Sequence, residues 1–513
     1  MRHLNRRLAR LPLLAVAALF AVATIAAAPL PICTPDGWGA SGRAPVIVDE
    51  YLRNLDGDSF DLRTACARWA GTFSRRHQRL AESRPQGPQV APRFILFPGG
   101  DLDVRRLAVW LSRIPHVRAV ERAQRFVVAE LDRRVSTQAL IELLDAPQIA
   151  YFEPDCDGPD FLTTSNEYPA SVATVNDCWL RSARLSFPND PCLDELWGHA
   201  KIGWDSLVAA RSVPRIVAVL DSGIDASHAD LALNVVQQFG LNEPPHSQGS
   251  FLNSRCATSG RCYPHGTEMA GTIGGRMNNG IGVVGVAPHS RLVPIVISQV
   301  DRGLLARLST IAEGIDAAVQ ANADVINISA KWPVDSRAIA TSIEHAISGE
   351  ALGKRLVVTG YATSLDSDDS VREYFPSKYR CLPGILAAVP TDMRGHDLFN
   401  PKGHPDATDG RIQAPGVDIV VTTTENSAQS YTLSEAAGPS SAAAYVSGAV
   451  ALVWGSPPLD QCGAQEIKQL LFCRSKSSES SRYPWINVDF LRELGKLDAG
   501  ANCQSAMDAL GCN

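Results

Sequence analysis

Three short segments carry side chains suited to nucleophilic chemistry. Val219-Leu220-Asp221-Ser222-Gly223 offers an aspartate, His265-Gly266-Thr267-Glu268-Met269-Ala270-Gly271 a histidine, and Gly438-Pro439-Ser440-Ser441-Ala442 a serine. A serine hydroxyl is a weak nucleophile until a neighbouring base takes its proton. A neutral imidazole suits that task because its pKa lies near ambient pH. The imidazole in turn needs a carboxylate to fix its tautomer and stabilise the imidazolium. Ser440 is therefore the candidate nucleophile, His265 the candidate general base and then acid, and Asp221 the candidate orienting carboxylate. The chain order Asp…His…Ser is one of three in which such hydrolytic triads are assembled. Taken singly, each residue also has a plain structural use: Asp221 in an Asx turn, His265 in a turn before glycine, Ser440 as a helix N-cap.

Bringing these residues together requires elements that end at one place. The runs Ile216–Leu220, Leu292–Ile297, Asp324–Ile328, Leu356–Val358 and Ile385–Val389 are short, continuous and mostly β-branched. Such runs suit strands of a parallel sheet buried on both faces. Between them, Leu304, Leu308, Ile311, Ile315 and Val319 share one helix face, and Ile343 and Ile347 begin a similar helix. This alternation predicts a doubly wound, mainly parallel α/β sheet with helices on both faces. Its site residues collect at the carboxyl ends of strands, where Asp221 falls. Ser440 precedes Ala442–Leu452, a small-residue helix whose N-terminal N–H groups and dipole favour negative charge. Upstream, Phe94–Phe97, a helical face of Val104, Leu107, Leu111 and Ile114, Arg125–Leu131, a second helix through Leu140, Leu143 and Leu144 capped by Ser136, and Ala150–Asp155 give a β-α-β-α-β unit over 92–155. Residues 27–91 form an extension with no assigned role, and 156–187 read as a linker, stapled through Cys156 and Cys178.

At 513 residues the chain is long enough for two or three domains. A net charge of -6 and the lack of a long Lys/Arg run argue against a nucleic-acid partner. Twelve cysteines without C-x-x-C spacing read as disulfides of an oxidising compartment before zinc ligands. Cys256 and Cys262 are spaced to close a short loop just before His265. Cys462, Cys473, Cys503 and Cys512 crowd the C-terminal region, with connectivity left open. Arg2, Arg6, Arg7 and Arg10, the apolar run Leu11–Ala23 and the small residues after it form a secretory signal peptide over 1–26. An uncleaved anchor is the other use of such a segment. No later stretch is long and apolar enough to cross a bilayer. The expectation is a secreted or periplasmic protein without a membrane span after signal removal.

With these three segments in this order on this alternation, the chain resembles the subtilisin-like serine proteases. Asn189-Asp190-Pro191 followed by Leu196-Trp197-Gly198 is similar to the start of that family's catalytic domain. The resemblance implies a serine endopeptidase that acts on polypeptides through an acyl-enzyme, with 188–513 as catalytic domain and no cofactor for catalysis. It implies that 92–155 is a ferredoxin-like pro-segment, an intramolecular inhibitor removed by a cut between Asp155 and about Asn189. The same pattern also suits an unrelated accessory domain. It further implies a structural calcium held by the side chains of Asp230 and Asn279 and the carbonyls of Met277, Ile281 and Val283. The alternative for that stretch is a glycine-rich turn without metal.

Three departures from the family pattern stand out. Gly438-Pro439-Ser440-Ser441-Ala442-Ala443-Ala444 replaces Gly-Thr-Ser-Met-Ala-x-Pro. The family's oxyanion asparagine aligns with Thr363, whose hydroxyl is a shorter donor. Ser329-Ala330-Lys331-Trp332 replaces Ser-x-Gly-Gly, which predicts a narrowed or re-routed substrate edge. These departures leave two other readings: a catalytically impaired binding protein on the same fold, and an esterase or amidase using the same triad.

Overall fold

The N-terminal part forms a four-stranded antiparallel sheet of β1 (Arg93–Pro98), β2 (Val117–Arg122), β3 (Val127–Leu131) and β4 (Ile149–Pro154) in the order β2-β3-β1-β4. The structure, a computed structural model, describes residues 44–55, 60–71, 91–156, 178–236, 264–297, 306–348, 353–361, 363–365, 371–396, 410–423, 430–433, 438–478, 481–498 and 500–512. The signal-peptide reading of 1–26, the Cys256/Cys262 loop, Leu304 and the side chain of Thr363 lie outside the described residues. Helices Val104–Leu111 and Thr137–Leu144 complete a β-α-β-β-α-β unit, one strand more than the sequence pattern suggested. The extra strand is β2. It is an edge strand with no fully buried residue, so it lacks the alternation that marks a half-buried strand. Both helices start on side-chain caps: Asp103 accepts from Arg106 N (2.7 Å) and Ser136 from Ala139 N (3.2 Å).

Two further helices, Val46–Arg53 and Leu62–Gly71, bury Val48, Leu52, Ala65 and Trp69 in the same core as this sheet. A disulfide joins Cys66 to Cys156, just past β4. Cys178 pairs with Cys192, so Cys156 and Cys178 do not staple the expected linker to itself. At the C-terminal side the pairs are Cys462–Cys503 and Cys473–Cys512.

The remaining strands are β5 (Ile216–Asp221), β6 (Arg291–Val296), β7 (Val325–Ile328), β8 (Leu356–Gly360), β9 (Thr363–Leu365), β10 (Val371–Glu373), β11 (Ile385–Thr391), β12 (Arg411–Pro415), β13 (Val420–Thr423), β14 (Ser430–Leu433), β15 (Lys476–Ser478) and β16 (Ser481–Trp485). Eight form one sheet in the order β15-β16-β12-β11-β8-β7-β5-β6, parallel except for the β15/β16 pair. The chain lays β6 on one side of β5 and then returns to lay β7 on the other. That reversal makes a crevice at the carboxyl ends of β5 and β7.

The period-2 alternation of each strand sorts its side chains between two layers. Ala218 and Leu220 face helices Leu308–Gln320 and Arg337–Ile347, while Val217 and Val219 face helices His265–Gly274 and Pro439–Trp454. The helix expected to begin at Ile343 instead ends at Ile347. It starts after Ser336, whose hydroxyl accepts from Ile339 N (3.3 Å). Among the described residues no helix is long and apolar enough to cross a membrane.

The N-terminal unit docks on the first of these layers through β4. Glu153, fully buried, accepts from Ser336 Oγ (2.7 Å), Arg337 N (2.9 Å) and Ala338 N (3.2 Å) at the start of one helix. Asp155 accepts from Ser309 N (3.0 Å) and Ser309 Oγ (2.8 Å) at the start of the other. Arg93 pairs with Asp155 and Glu121, and Arg125 meets Asp316. Carboxylates at helix N-termini satisfy orphan N–H groups and complement the dipole. Burial nonetheless pushes the Glu153 carboxyl up to about 7, against the hydrogen bonds that lower it.

Candidate active site

Strand register places three residues side by side. Leu220 pairs with Ile328, and Ile328 with Thr359, so the next residues, Asp221, Ser329 and Gly360, line the carboxyl ends of β5, β7 and β8. Asp221 is the last residue of β5 and is buried. His265 opens its own helix above that strand end. Gly266 permits the approach: a Cβ there would lie 2.2 Å from the Gly223 carbonyl oxygen. Ser222 ties the two segments, since its N–H donates to Asp221 Oδ1 (2.7 Å) and its hydroxyl accepts from Gly266 N (3.0 Å).

His265 Nδ1 lies 2.8 Å from Asp221 Oδ1 and 2.9 Å from Oδ2, with both side chains shielded from water. This contact favours a proton on Nδ1, which leaves Nε2 able to accept one. Burial by itself depresses the imidazole pKa. The charge and hydrogen bond of Asp221, with the charge of Glu268 one turn along the helix, outweigh burial and raise it above the ordinary value.

Ser440 stands at the second position of helix Pro439–Trp454. Pro439 at the first position costs the helix nothing, because that N–H has no intrahelical acceptor. The helix end rests on Gly360, where a Cβ would lie 2.5 Å from the Pro439 carbonyl oxygen. The Ser440 hydroxyl donates to the Ser329 carbonyl (3.3 Å) and not to His265. The structure thus joins Asp221 to His265 directly and sets Ser440 over the adjacent strand ends, its proton turned toward β7.

Thr363 lies in the two-stranded ribbon of β9 and β10, paired with Glu373. The Lys331-Trp332 step is re-routed onto that same region. Trp332 is fully buried and exchanges both backbone hydrogen bonds with Phe375 (2.9 and 3.0 Å), while the Lys331 ammonium lies 5.0 Å from the centre of the Tyr374 ring. One edge of this segment is therefore taken by the chain itself.

Of the residues expected to hold a cation, Asp230, Asn279 and Val283 come together. Asp230, fully buried, accepts from Asn279 Nδ2 (2.6 Å), Val283 N (3.0 Å) and Tyr431 Oη (2.9 Å). Asp190, also buried, accepts from Asn278 N (2.8 Å) and Asn279 N (3.3 Å) on the same loop. Sequence reading missed Asp190 as a second carboxylate there, and it missed the polar residues under Ser440. The available signal for the latter was Asn327, a lone amide inside the apolar run Val-Ile-Asn-Ile.

Comparison with known proteins bears on the family and the fold. The family model for the subtilase family matches residues 215–483, more than half of the chain. Subtilisin from Bacillus pumilus is 34% identical over 245 residues, covering 47% of this chain and 77% of that protein. Subtilisin E from Bacillus subtilis is 33% identical over 245 residues, covering 47% of this chain but only 56% of its own length. Among solved structures, fervidolysin from Fervidobacterium pennivorans, a keratinolytic enzyme related to subtilisin, aligns with a TM-score of 0.55 at 21% identity over 80% of this chain and 62% of that one. The epidermin leader peptide processing serine protease of Staphylococcus aureus gives 0.56 at 16% identity over 80% of this chain and 100% of that one. At such identities the solved structures speak for the fold alone. The extent of the family match and the identity to subtilisin carry the assignment: the chain belongs to the subtilase family of serine-type endopeptidases.

Proposed function

We propose that this chain is a secreted endopeptidase made as a pro-enzyme, with Ser440, His265 and Asp221 as its triad. The carrying observation is the buried Asp221–His265 pair at the carboxyl ends of the strands, beside the helix that bears Ser440. In the first step the Ser440 hydroxyl turns from Ser329 and gives its proton to His265 Nε2 as Oγ bonds the substrate carbonyl carbon. The carbonyl oxygen becomes an oxyanion at the N-terminus of helix Pro439–Trp454, where unpaired N–H groups and the dipole favour it. Thr363 is the proposed side-chain donor to the same oxygen. His265 then protonates the leaving amine, and water, deprotonated by His265, releases the acyl group. Treating the secreted protein with a fluorophosphonate probe tests this reading. Covalent labelling at Ser440 is expected, and correctly processed protein that stays unlabelled would overturn it. A peptide library then separates a peptidase from an esterase.

The docked unit fits an inhibitor that shields the catalytic domain until it is cut away. Its support is the burial of Glu153 and Asp155 against two helix starts. Helices Val46–Arg53 and Leu62–Gly71 belong to that body, tied to it through Cys66–Cys156. Truncating one partner of a buried, charge-assisted contact costs about 2–5 kcal/mol. Glu153→Ala is therefore expected to speed separation of the two parts after cleavage by about 30-fold or more, read by size-exclusion chromatography of the processed chain. Unchanged separation would count against docking through β4.

The loop at 277–283 fits a structural calcium. Its donors are hard oxygens: Asp190 and Asp230 carboxylates, the Asn279 amide, and the carbonyls of Met277, Ile281 and Val283. Positive φ at Asn278, Gly280 and Gly282 gives the chain the tight curvature such a wrap needs. Calcium is expected to raise the melting temperature by several degrees, and Asp230→Asn to remove that gain, as measured by calorimetry against chelator.

A further inference from the structure

We propose that Asn327, acting through Ser329, is a positioning residue that sets the height and orientation of Ser440. This rests on Ser440 being the nucleophile. Asn327 is buried in β7 with no exposure, and an amide there is costly unless its groups are bonded. Both of its ends are bonded, and all in one direction. Ser447 Oγ donates to Asn327 Oδ1 (2.9 Å), Asn327 Nδ2 donates to Ser329 Oγ (3.0 Å), and Ser329 Oγ donates to the Ser440 carbonyl (3.3 Å). The Ser440 hydroxyl returns a bond to the Ser329 carbonyl (3.3 Å).

Ser440 and Ser447 lie two helical turns apart on one face of the same helix, so the chain of bonds grips that helix at two heights. Buried polar chains of this kind polarise one another and define a single packing arrangement. An apolar residue at 327 would fill the same space without fixing the helix along its axis. Asn327 thus holds Ser440 at the level of the strand ends where Asp221 and His265 meet. A misplacement of about 1 Å costs a reaction roughly a hundredfold.

The test expresses the full chain in five variants: Ser329→Ala, Ser329→Thr, Asn327→Leu, the double Ser329→Ala/Asn327→Leu, and Ser440→Ala. Turnover and the rate of fluorophosphonate labelling are measured well below each melting temperature. Ser329→Ala is expected to lower kcat and the labelling rate by about ten- to a hundredfold with KM little changed. Ser329→Thr, which keeps the hydroxyl, should retain most of both. Adding Asn327→Leu to Ser329→Ala should cost little more, because the two act on one path. Should Asn327→Leu fail to fold, the Ala/Thr contrast at 329 still decides. Wild-type kcat and labelling rate in Ser329→Ala, with only a lowered melting temperature, would overturn the positioning role. Full activity in Ser440→Ala would overturn the triad reading instead.

Discussion

Ser440→Ala is expected to lower peptidase turnover by about 10⁶-fold, the size measured in subtilisin itself and not obtained from this geometry. The same change should abolish fluorophosphonate labelling and leave the full-length chain uncut. The neighbouring hydroxyls offer no replacement. Ser441 is fully buried and sits about 100° further round the helix, and Ser329 already spends its proton on the Ser440 carbonyl. The fold should survive, because the hydroxyl makes one 3.3 Å hydrogen bond and removing it leaves no cavity larger than an atom. Mass spectrometry of the secreted protein reads labelling and cleavage, and a peptide substrate reads turnover. Residual turnover near the wild-type level would mean that another group attacks the substrate.

The α/β architecture was legible because central parallel strands are apolar on both faces, as in Val217–Leu220 and Leu356–Val358. Strands that bury polar groups were not. β12 buries both faces, Ile412 and Ala414 on one and Arg411 and Gln413 on the other, and the two polar residues break the continuous apolar run that marks its neighbours. The helix start at Ser336 was missed because its cap lies in a segment with no apolar period before it. The three candidate catalytic residues were legible for a different reason. Asp221, His265 and Ser440 each sit where an element begins or ends, flanked by glycines or small residues that allow close approach, and that leaves a local signature. Asn327 leaves only a lone amide in an apolar run, and Ser329 leaves no local mark, since their hydrogen bonds run between elements. The disulfide partners were beyond reach for the same reason: Cys66 and Cys156 are 90 residues apart.

Asp221→Asn is expected to lower kcat by about 10⁴-fold near neutral pH, a magnitude taken from a serine protease of another fold. Asparagine keeps the size of the side chain but can turn its NH₂ toward Nδ1, which leaves the proton on Nε2, where it cannot act as base. The pH profile gives a second, independent signature. Only neutral imidazole accepts the Ser440 proton, so activity rises with pH through the His265 pKa. In the wild type that pKa is raised above its ordinary value near 6.5, because Asp221, aided by Glu268, outweighs burial. The acid limb should therefore lie above 6.5. The same coupling stabilises the fold fully below the unfolded histidine pKa and is lost as pH rises through the folded one. In Asp221→Asn the main attraction is gone and burial governs, so the acid limb of the residual activity should move downward. Glu268→Gln should move it downward by less, with Nδ1 still held and turnover on the alkaline side largely kept. An acid limb that stays in place in Asp221→Asn would show that the titrating group is not His265.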